Sequence, residues 1–343
     1  MKGLILVDAN RFEVREFPRP EIGSEEVLVE VKACGICGSD VHGMDGSTGR
    51  RQPPLIMGHE ASGVVAEVGE AVRRWQPGDR VTFDSTVYCG RCDYCRRGEV
   101  NLCDHRQVLG VSCAEFKREG ALAEYVAVPE RIVVGLPDGI SFEEAAMAEP
   151  VSIAVHAVNR VPVQLNDSAV VVGAGVIGLL IIQALKARGC GEVLAVDVKQ
   201  DRLDLARRLG ADQVLSPGDC DVPAELLNKT RGHGVDVAME AVGFPSTVDM
   251  AVKAVRKGGS VGLVGNLTPA AELPLQAIVT RELSLFGSCA SRGEYPACLD
   301  LIARRMIQVG PLLSGISSLD EAPQWFSRLQ AGQESLIKVI VQP

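Results

Sequence analysis

From residue 26 to residue 32 the valines at 27, 29 and 31 alternate with Leu28, Glu30 and Lys32, a period of two that predicts a strand with one buried face. Runs of the same character at 63–69, 79–83 and 123–129 are punctuated by Gly and Pro, which points to an antiparallel, barrel-like first domain. Between them lies a cysteine-rich insertion at 89–103. The rhythm changes near residue 141, where Ser141 followed three places later by Glu144 makes a capping box at the head of an apolar helix. Beyond it, strands at 169–172, 193–197, 213–215, 235–240, 260–264 and 283–287 alternate with helical patterns. In one of these, 246–257, the residues Val248, Ala251, Val252 and Val255 fall on a single stripe. Repeated strand–helix alternation predicts an α/β chain with a parallel, doubly wound sheet. After residue 288 the alternation stops, and the apolar run 336–341 reads as a strand that returns to the first domain. The expected domains are therefore 1–150, 151–287 and a returning segment 288–343, with no internal repeat or low-complexity tract.

Composition narrows the class. The 343 residues are 46% hydrophobic and 23% charged, which sets aside disordered, collagen-like and coiled-coil chains. With 35 Lys and Arg against 44 Asp and Glu, the net charge of −9 attracts neither nucleic acid nor an anionic membrane. The most apolar stretch, 170–185, is too short for a membrane span and carries Gly173, Gly175, Gly178 and Gln183. At the amino terminus the apolar run 3–7 ends at Asp8, shorter than a secretory core, so a cytoplasmic location is expected. The 11 cysteines are an odd number in a long chain, and thiolate–metal chemistry is a better prior than disulfides.

A first chemical signature is the turn Gly173-Ala174-Gly175-Val176-Ile177-Gly178, a G-x-G-x-x-G set directly after a strand and opening a helix. Gly173 makes the tight turn, Gly175 lets backbone approach a pyrophosphate, and Gly178 lets helix and strand pack closely. The first helical residues, Val176 and Ile177, then offer their N–H groups to negative charge. Asp197 closes the next strand 19 residues after Gly178, where a carboxylate accepts from ribose hydroxyls and repels a 2′-phosphate. NAD is favoured over NADP, with Lys199 and Arg202 close enough in sequence to soften the preference.

Two ligand sets suggest metal. Cys89, Cys92, Cys95 and Cys103 have the spacing C-x2-C-x2-C-x7-C, four soft ligands with no vacancy, as in a closed structural zinc site. An iron–sulfur cluster or two disulfides are the rival uses of those sulfurs. The second set is dispersed: Cys37 within Cys34-Gly35-Ile36-Cys37-Gly38-Ser39-Asp40-Val41-His42, and His59-Glu60 after Gly58. A thiolate, an imidazole and a carboxylate from separate loops can leave one zinc position open. By spacing alone, Cys34 and Cys37 read equally as a redox pair and His59 as a core histidine.

Taken together, Cys37 to His42, Gly58-His59-Glu60, the four-cysteine lobe, Glu149-Pro150 and Gly173–Gly178 resemble the zinc-dependent medium-chain alcohol dehydrogenases over essentially the whole chain. Within that family the likeness is greatest to the branch of sorbitol, threonine, butanediol and sugar-alcohol-phosphate dehydrogenases. The resemblance implies a GroES-like catalytic domain with an inserted Rossmann domain, one catalytic and one structural zinc, NAD, and homodimers or homotetramers. It places Cys37 and His59 on the catalytic zinc and Asp40 behind the histidine. Ser39 takes the substrate proton and His42 passes it to solvent. Glu149 stands where classical members have a third cysteine ligand and Glu60 is an alternative; the choice stays open, with both expected within reach of the metal. The implied reaction transfers hydride between NAD and a secondary alcohol: a polyol, sugar acid or sugar-alcohol phosphate, with L-threonine or butanediol as alternatives. A zinc-free quinone reductase would lack these ligands, and a non-catalytic NAD- or zinc-binding protein would not need the relay. Segments 44–57, 106–120 and 288–296 are where substrate preference would reside.

The remaining polar residues have plainer readings. His156 is expected in the core and His105 and His233 in solvent, with Arg96 and Arg97 on a solvated face. Cys113, Cys190, Cys220, Cys289 and Cys298 have no ligand spacing, and Arg281-Glu282 reads as a helix-end charge pair.

Overall fold

A computed structural model of the chain describes residues 1–112, 116–332 and 335–343. Cys113 lies outside them. In chain order the elements are β1 (Lys2–Asp8), β2 (Arg11–Glu16), β3 (Glu26–Ile36), α1 (Gly38–Gly43), β4 (Leu55–Ile56), β5 (Glu60–Val68), β6 (Arg80–Phe83), β7 (Thr86–Val87) and α2 (Asp93–Arg96). There follow β8 (Gln107–Val108), β9 (Tyr125–Pro129), β10 (Val133–Gly135), α3 (Phe142–Ala146), α4 (Ala148–Arg160), β11 (Ser168–Val172), α5 (Val176–Arg188), β12 (Glu192–Val196), α6 (Gln200–Arg208) and β13 (Gln213–Leu215). The chain ends with α7 (Val222–Lys229), β14 (Val235–Glu240), α8 (Pro245–Ala254), β15 (Val255–Leu263), α9 (Leu275–Thr280), β16 (Ser284–Gly287), α10 (Tyr295–Ala303), β17 (Leu313–Ser318), α11 (Ala322–Ala331) and β18 (Lys338–Gln342).

Two compact units result: Met1–Glu149 with Ser291–Arg304 and Val309–Pro343, and Pro150–Ala290 with Arg305–Gln308. In the first, β3 is the hub, paired antiparallel with β5, β9 and β18. Val27, Val29 and Val31 are buried as their alternation predicts; Leu28, on the other face, is buried as well. The closing strand β18 lies between β3 and β17. Ser141 caps α3 by accepting from the Glu144 N–H at 3.2 Å, while the Glu144 carboxylate accepts from the Ser141 N–H.

The second unit is a six-stranded sheet in the order β13-β12-β11-β14-β15-β16, parallel throughout. This is the doubly wound order, with its switch point between β11 and β14. Ala169 to Val172 are buried because helices cover both faces of such a sheet, so β11 reads as an unbroken apolar run. One expectation needs correction: the helix of 246–257 ends at Ala254, and Val255 is instead the first residue of β15, paired with Val235. Val255 is buried either way, so the stripe could not separate the two. Arg305–Gln308 joins this unit through Gln308, whose N–H donates to Gln183 Oε1 at 2.7 Å and whose carbonyl accepts from Gln183 Nε2 at 3.2 Å. Among the described residues no helix is long and apolar enough to cross a membrane.

Candidate functional site

Strand β3 ends at Ile36, so Cys37 is set between that strand and α1, with its carbonyl accepting from the N–H groups of Asp40 and Val41. Gly58, at φ +94°, has no room for a side chain against Cys34 Sγ and the Leu122 backbone, and its turn delivers His59 and Glu60 to the head of β5. One ligand atom each of Cys37, His59 and Glu60 lies within 4.8 Å of the others. Cys34, the other half of the possible redox pair, is not in that group, and both thiols are free.

Behind His59 stands Asp40, wholly buried, with Oδ2 facing His59 Nδ1 at 3.6 Å and neither atom holding a hydrogen bond. That approach turns Nε2 away as the free donor, the arrangement that a carboxylate imposes on a metal-binding imidazole. Asp40 Oδ1 accepts from Arg51 Nε at 2.9 Å, and Arg51 Nη2 donates to Ser39 Oγ at 3.2 Å. Ser39 Oγ also lies 3.3 Å from Cys37 Sγ. Ser39 and His42, three residues apart on α1 and so on one face, are both exposed.

The two candidate carboxylates differ in their partners. Glu60, 1% exposed, has both oxygens on the ammonium of Lys338, at 2.8 and 2.6 Å. Burial would lower the Lys338 amine, but the Glu60 charge and then Cys37 hold it above its ordinary range. Glu149, in the first turn of α4, accepts from Ser85 Oγ at 3.3 Å, and burial pushes its carboxyl up to about 8. The Cys37 thiol is likewise raised to about 11, first by burial and then by Glu60. A half-buried thiol, two carboxyls and an imidazole backed by a carboxylate form a donor set that a divalent cation would ionise and satisfy, and zinc accepts all three ligand types.

In the cysteine lobe the sulfurs converge: Cys92–Cys95 at 3.5 Å, Cys92–Cys103 at 3.9 Å and Cys89–Cys95 at 4.0 Å, all as free thiols. Four sulfurs about 2.3 Å from a zinc make a tetrahedron with edges of about 3.8 Å, so this spacing fits that ion. Backbone N–H groups of Arg91 and Cys92 point at Cys89 Sγ, both at 3.4 Å, and those of Cys89 and His105 at Cys103 Sγ, at 3.2 and 3.3 Å. The Arg91 N–H is the main reason that the Cys89 thiol falls to about 6, while burial lifts Cys95 to about 12.

In the second unit Gly173 takes φ +96° in the turn from β11 to α5, and its N–H donates to the Val196 carbonyl at 2.8 Å, which continues the β11–β12 ladder into that turn. Gly178 packs against the Gly173 carbonyl, whereas a side chain on Gly175 would meet nothing within 4 Å. That open space, at the exposed N-cap of α5 and ahead of half-buried Val176 and Ile177, is room for a pyrophosphate. Asp197 is committed to the backbone on both oxygens, accepting from Ala174 N–H at 2.7 Å and Lys199 N–H at 2.9 Å. Its remaining lone pairs are those a ribose could use.

Two family models match. Residues 23–138 fit the alcohol dehydrogenase GroES-like domain and residues 176–304 the zinc-binding dehydrogenase domain. Sorbitol dehydrogenase of Bacillus subtilis (strain 168) is 33% identical over 348 residues, covering 100% of this chain and 97% of that protein. The chain belongs to the zinc-dependent medium-chain dehydrogenases. L-idonate 5-dehydrogenase of Vitis vinifera is 35% identical over 316 residues, covering 90% of this chain and 85% of that one. A zinc-binding dehydrogenase of Sinorhizobium meliloti 1021, solved with NADP, superposes at TM-score 0.92 with 33% identity, covering 100% of this chain and 99% of its own. This medium-chain dehydrogenase is an oxidoreductase with a GroES-like and a Rossmann part, and its cofactors are zinc and NAD(H).

Elsewhere His156 is buried and His105 and His233 are exposed, Cys190 and Cys298 are buried, Cys220 is half-buried and Cys289 exposed. Arg281 donates to the Val252 and Val255 carbonyls, capping the end of α8. Two buried cations escaped the sequence reading. Lys338 had a signal, as a lone charge in the apolar run 336–341; Arg51, ahead of Gln52-Pro53-Pro54, had none.

Proposed function

We propose that this chain oxidises a polyol or sugar-derived secondary alcohol with NAD, at a zinc held by Cys37, His59 and a carboxylate. The observation that carries the reading is the convergence of Cys37, His59 and Glu60 with Asp40 set behind the imidazole. The sorbitol and L-idonate dehydrogenase relatives support a substrate with neighbouring hydroxyls. When bound, zinc supplies a Lewis acid for the substrate hydroxyl and NAD the hydride acceptor.

The chain's own residues do the rest. Asp40 faces His59 Nδ1 at 3.6 Å and would orient the ring by its charge, and Arg51 anchors Asp40 in turn. Ser39 Oγ accepts from Arg51 on one lone pair, which leaves the other to take the substrate proton while the hydroxyl hands its own onward. His42, exposed on the same face of α1, passes that proton to water. The cysteine lobe takes no part in bond chemistry; its zinc would pin the loop. Asp197 supports a preference for NAD over NADP. A second copy of the chain would fit at β16, which ends its sheet, next to α9 with Leu275 and Val279 exposed at 69% and 65%.

Metal analysis and an alcohol panel test the reading together. The purified chain should hold two zincs, Cys37→Ala and Cys103→Ser should each remove a different one, and sorbitol- or idonate-like alcohols should form NADH. Cys37→Ala should still bind NADH by fluorescence yet form none. Turnover by the metal-stripped variant would refute it.

A further inference from the structure

Arg51 is 3% exposed, and its guanidinium donates from all three nitrogens: Nε to Asp40 Oδ1 at 2.9 Å, Nη2 to Ser39 Oγ at 3.2 Å and Nη1 to the Arg50 carbonyl at 3.2 Å. Nη2 also lies 2.8 Å from Asp40 Oδ1. The residues on either side of Arg51 are both pinned to Ser112, whose N–H donates to the Arg50 carbonyl at 3.3 Å and whose Oγ accepts from the Gln52 N–H. Gly43, the last residue of α1, leaves room for the Arg51 stem, since a Cβ there would stand 2.8 Å from Arg51 Cγ.

A guanidinium has donors and no acceptor, so Ser39 can only receive a hydrogen bond on that side. Its own hydrogen goes to Cys37 Sγ, 3.3 Å away. Of the two lone pairs on Oγ, one is taken by Arg51 and one is left, on a residue that is exposed. Without Arg51 the hydroxyl loses one of its two anchors and can present its hydrogen, in place of a lone pair, to an incoming alcohol. The same guanidinium holds Asp40, whose other oxygen faces His59 Nδ1 at 3.6 Å. Serine and imidazole are thereby set by one group.

We propose that Arg51 is a positioning residue for proton transfer, which holds the Ser39 hydroxyl as the acceptor of the substrate proton. The inference rests on the reading of Ser39 as that acceptor beside a metal on Cys37 and His59, and it adds what orients the serine. In the step the substrate O–H bond breaks and its proton goes to the remaining Ser39 lone pair, while the original Ser39 hydrogen leaves to His42 or water and the hydroxyl is restored. Arg51 keeps its own protons throughout.

A double-mutant cycle on the full-length, zinc-loaded protein tests this, read as the single-turnover rate of NADH formation from NAD and sorbitol, or the fastest alcohol of the panel. Arg51→Lys keeps a cation for Asp40 but lacks the fork that reaches Ser39 as well. It should slow that rate by about tenfold when Ser39 is present and by less than about twofold in the Ser39→Ala background, with both zincs retained. The same loss in both backgrounds, no loss in either, or loss of the Cys37-dependent zinc overturns the proposal, since Arg51 would then not act through Ser39. Should Arg51→Lys fail to fold, Gly43→Ala decides, because it displaces the Arg51 stem without removing a charge. Slowing that depends on Ser39 supports the proposal, and slowing independent of Ser39, or none, overturns it. Failure of the underlying reading is distinct, because then the unaltered protein would form no NADH from any alcohol of the panel, or Ser39→Ala alone would form it at the unaltered rate.

Discussion

Gly35 lies directly across from Glu60 in the β3–β5 ladder, and any side chain on it would occupy the space of the Glu60 carboxylate. The glycine is there because the carboxylate passes over it to reach Lys338. Gly35→Ala should therefore split the Glu60–Lys338 pair and destabilise the first unit by about 3 kcal/mol, the usual consequence of breaking a buried ion pair. Urea unfolding of the zinc-loaded protein measures this, and an unmoved midpoint would show that the carboxylate is not confined.

Ser39 stands between the Arg51 guanidinium and Cys37 Sγ, with His42 beyond it on α1. Ser39→Ala should slow alcohol oxidation most below neutral pH, where shedding the substrate proton is hardest, and least above it. A pH–rate profile of kcat gives the test: a uniform loss at every pH would remove Ser39 from the proton path.

Asp84 is buried with Oδ1 accepting from Thr86 N–H at 2.8 Å and Oδ2 from Ser291 Oγ at 3.3 Å, and burial raises its carboxyl to about 7. The folded chain thus binds this proton more tightly than the unfolded one, so stability falls as pH rises from about 4 to about 7 and stays low above that. The full effect is about 4 kcal/mol. Asp84→Asn, whose Oδ1 keeps the Thr86 bond and whose Nδ2 can donate to the Ser291 hydroxyl instead, should gain stability over the unaltered chain by about 3 kcal/mol more near pH 8 than near pH 5. An equal gain at both pH values would mean that Asp84 ionises normally.

Asp197, the residue after β12, braces the glycine turn. Asp197→Ala should raise the KM for NAD by about tenfold and leave that for NADP level or lower. Steady-state kinetics with the two cofactors check this, and an unaltered preference would assign the discrimination to other residues.

The features that the sequence disclosed are those set by near neighbours. Alternation at 27–31 gave the hub strand, Ser141 with Glu144 the start of α3, and the four-cysteine spacing a lobe whose sulfurs do converge. Each involves residues a few positions apart, where backbone geometry alone decides what can meet. The stripe at 248–255 misled because burial of Val255 is common to a helix end and a strand start.

What chain order left undetermined is which distant charges meet. Glu60 and Lys338 are separated by 278 residues, and Asp84 and Ser291 by 207, so their partnerships exist only once strands align and water is excluded. In an unfolded chain each of those groups is satisfied by solvent and carries no mark of its partner. Hence the donor types at Cys37, His59, Glu60 and Glu149 were written in the sequence, while the different neighbours of the two carboxylates, an ammonium for one and a hydroxyl for the other, were fixed by the fold.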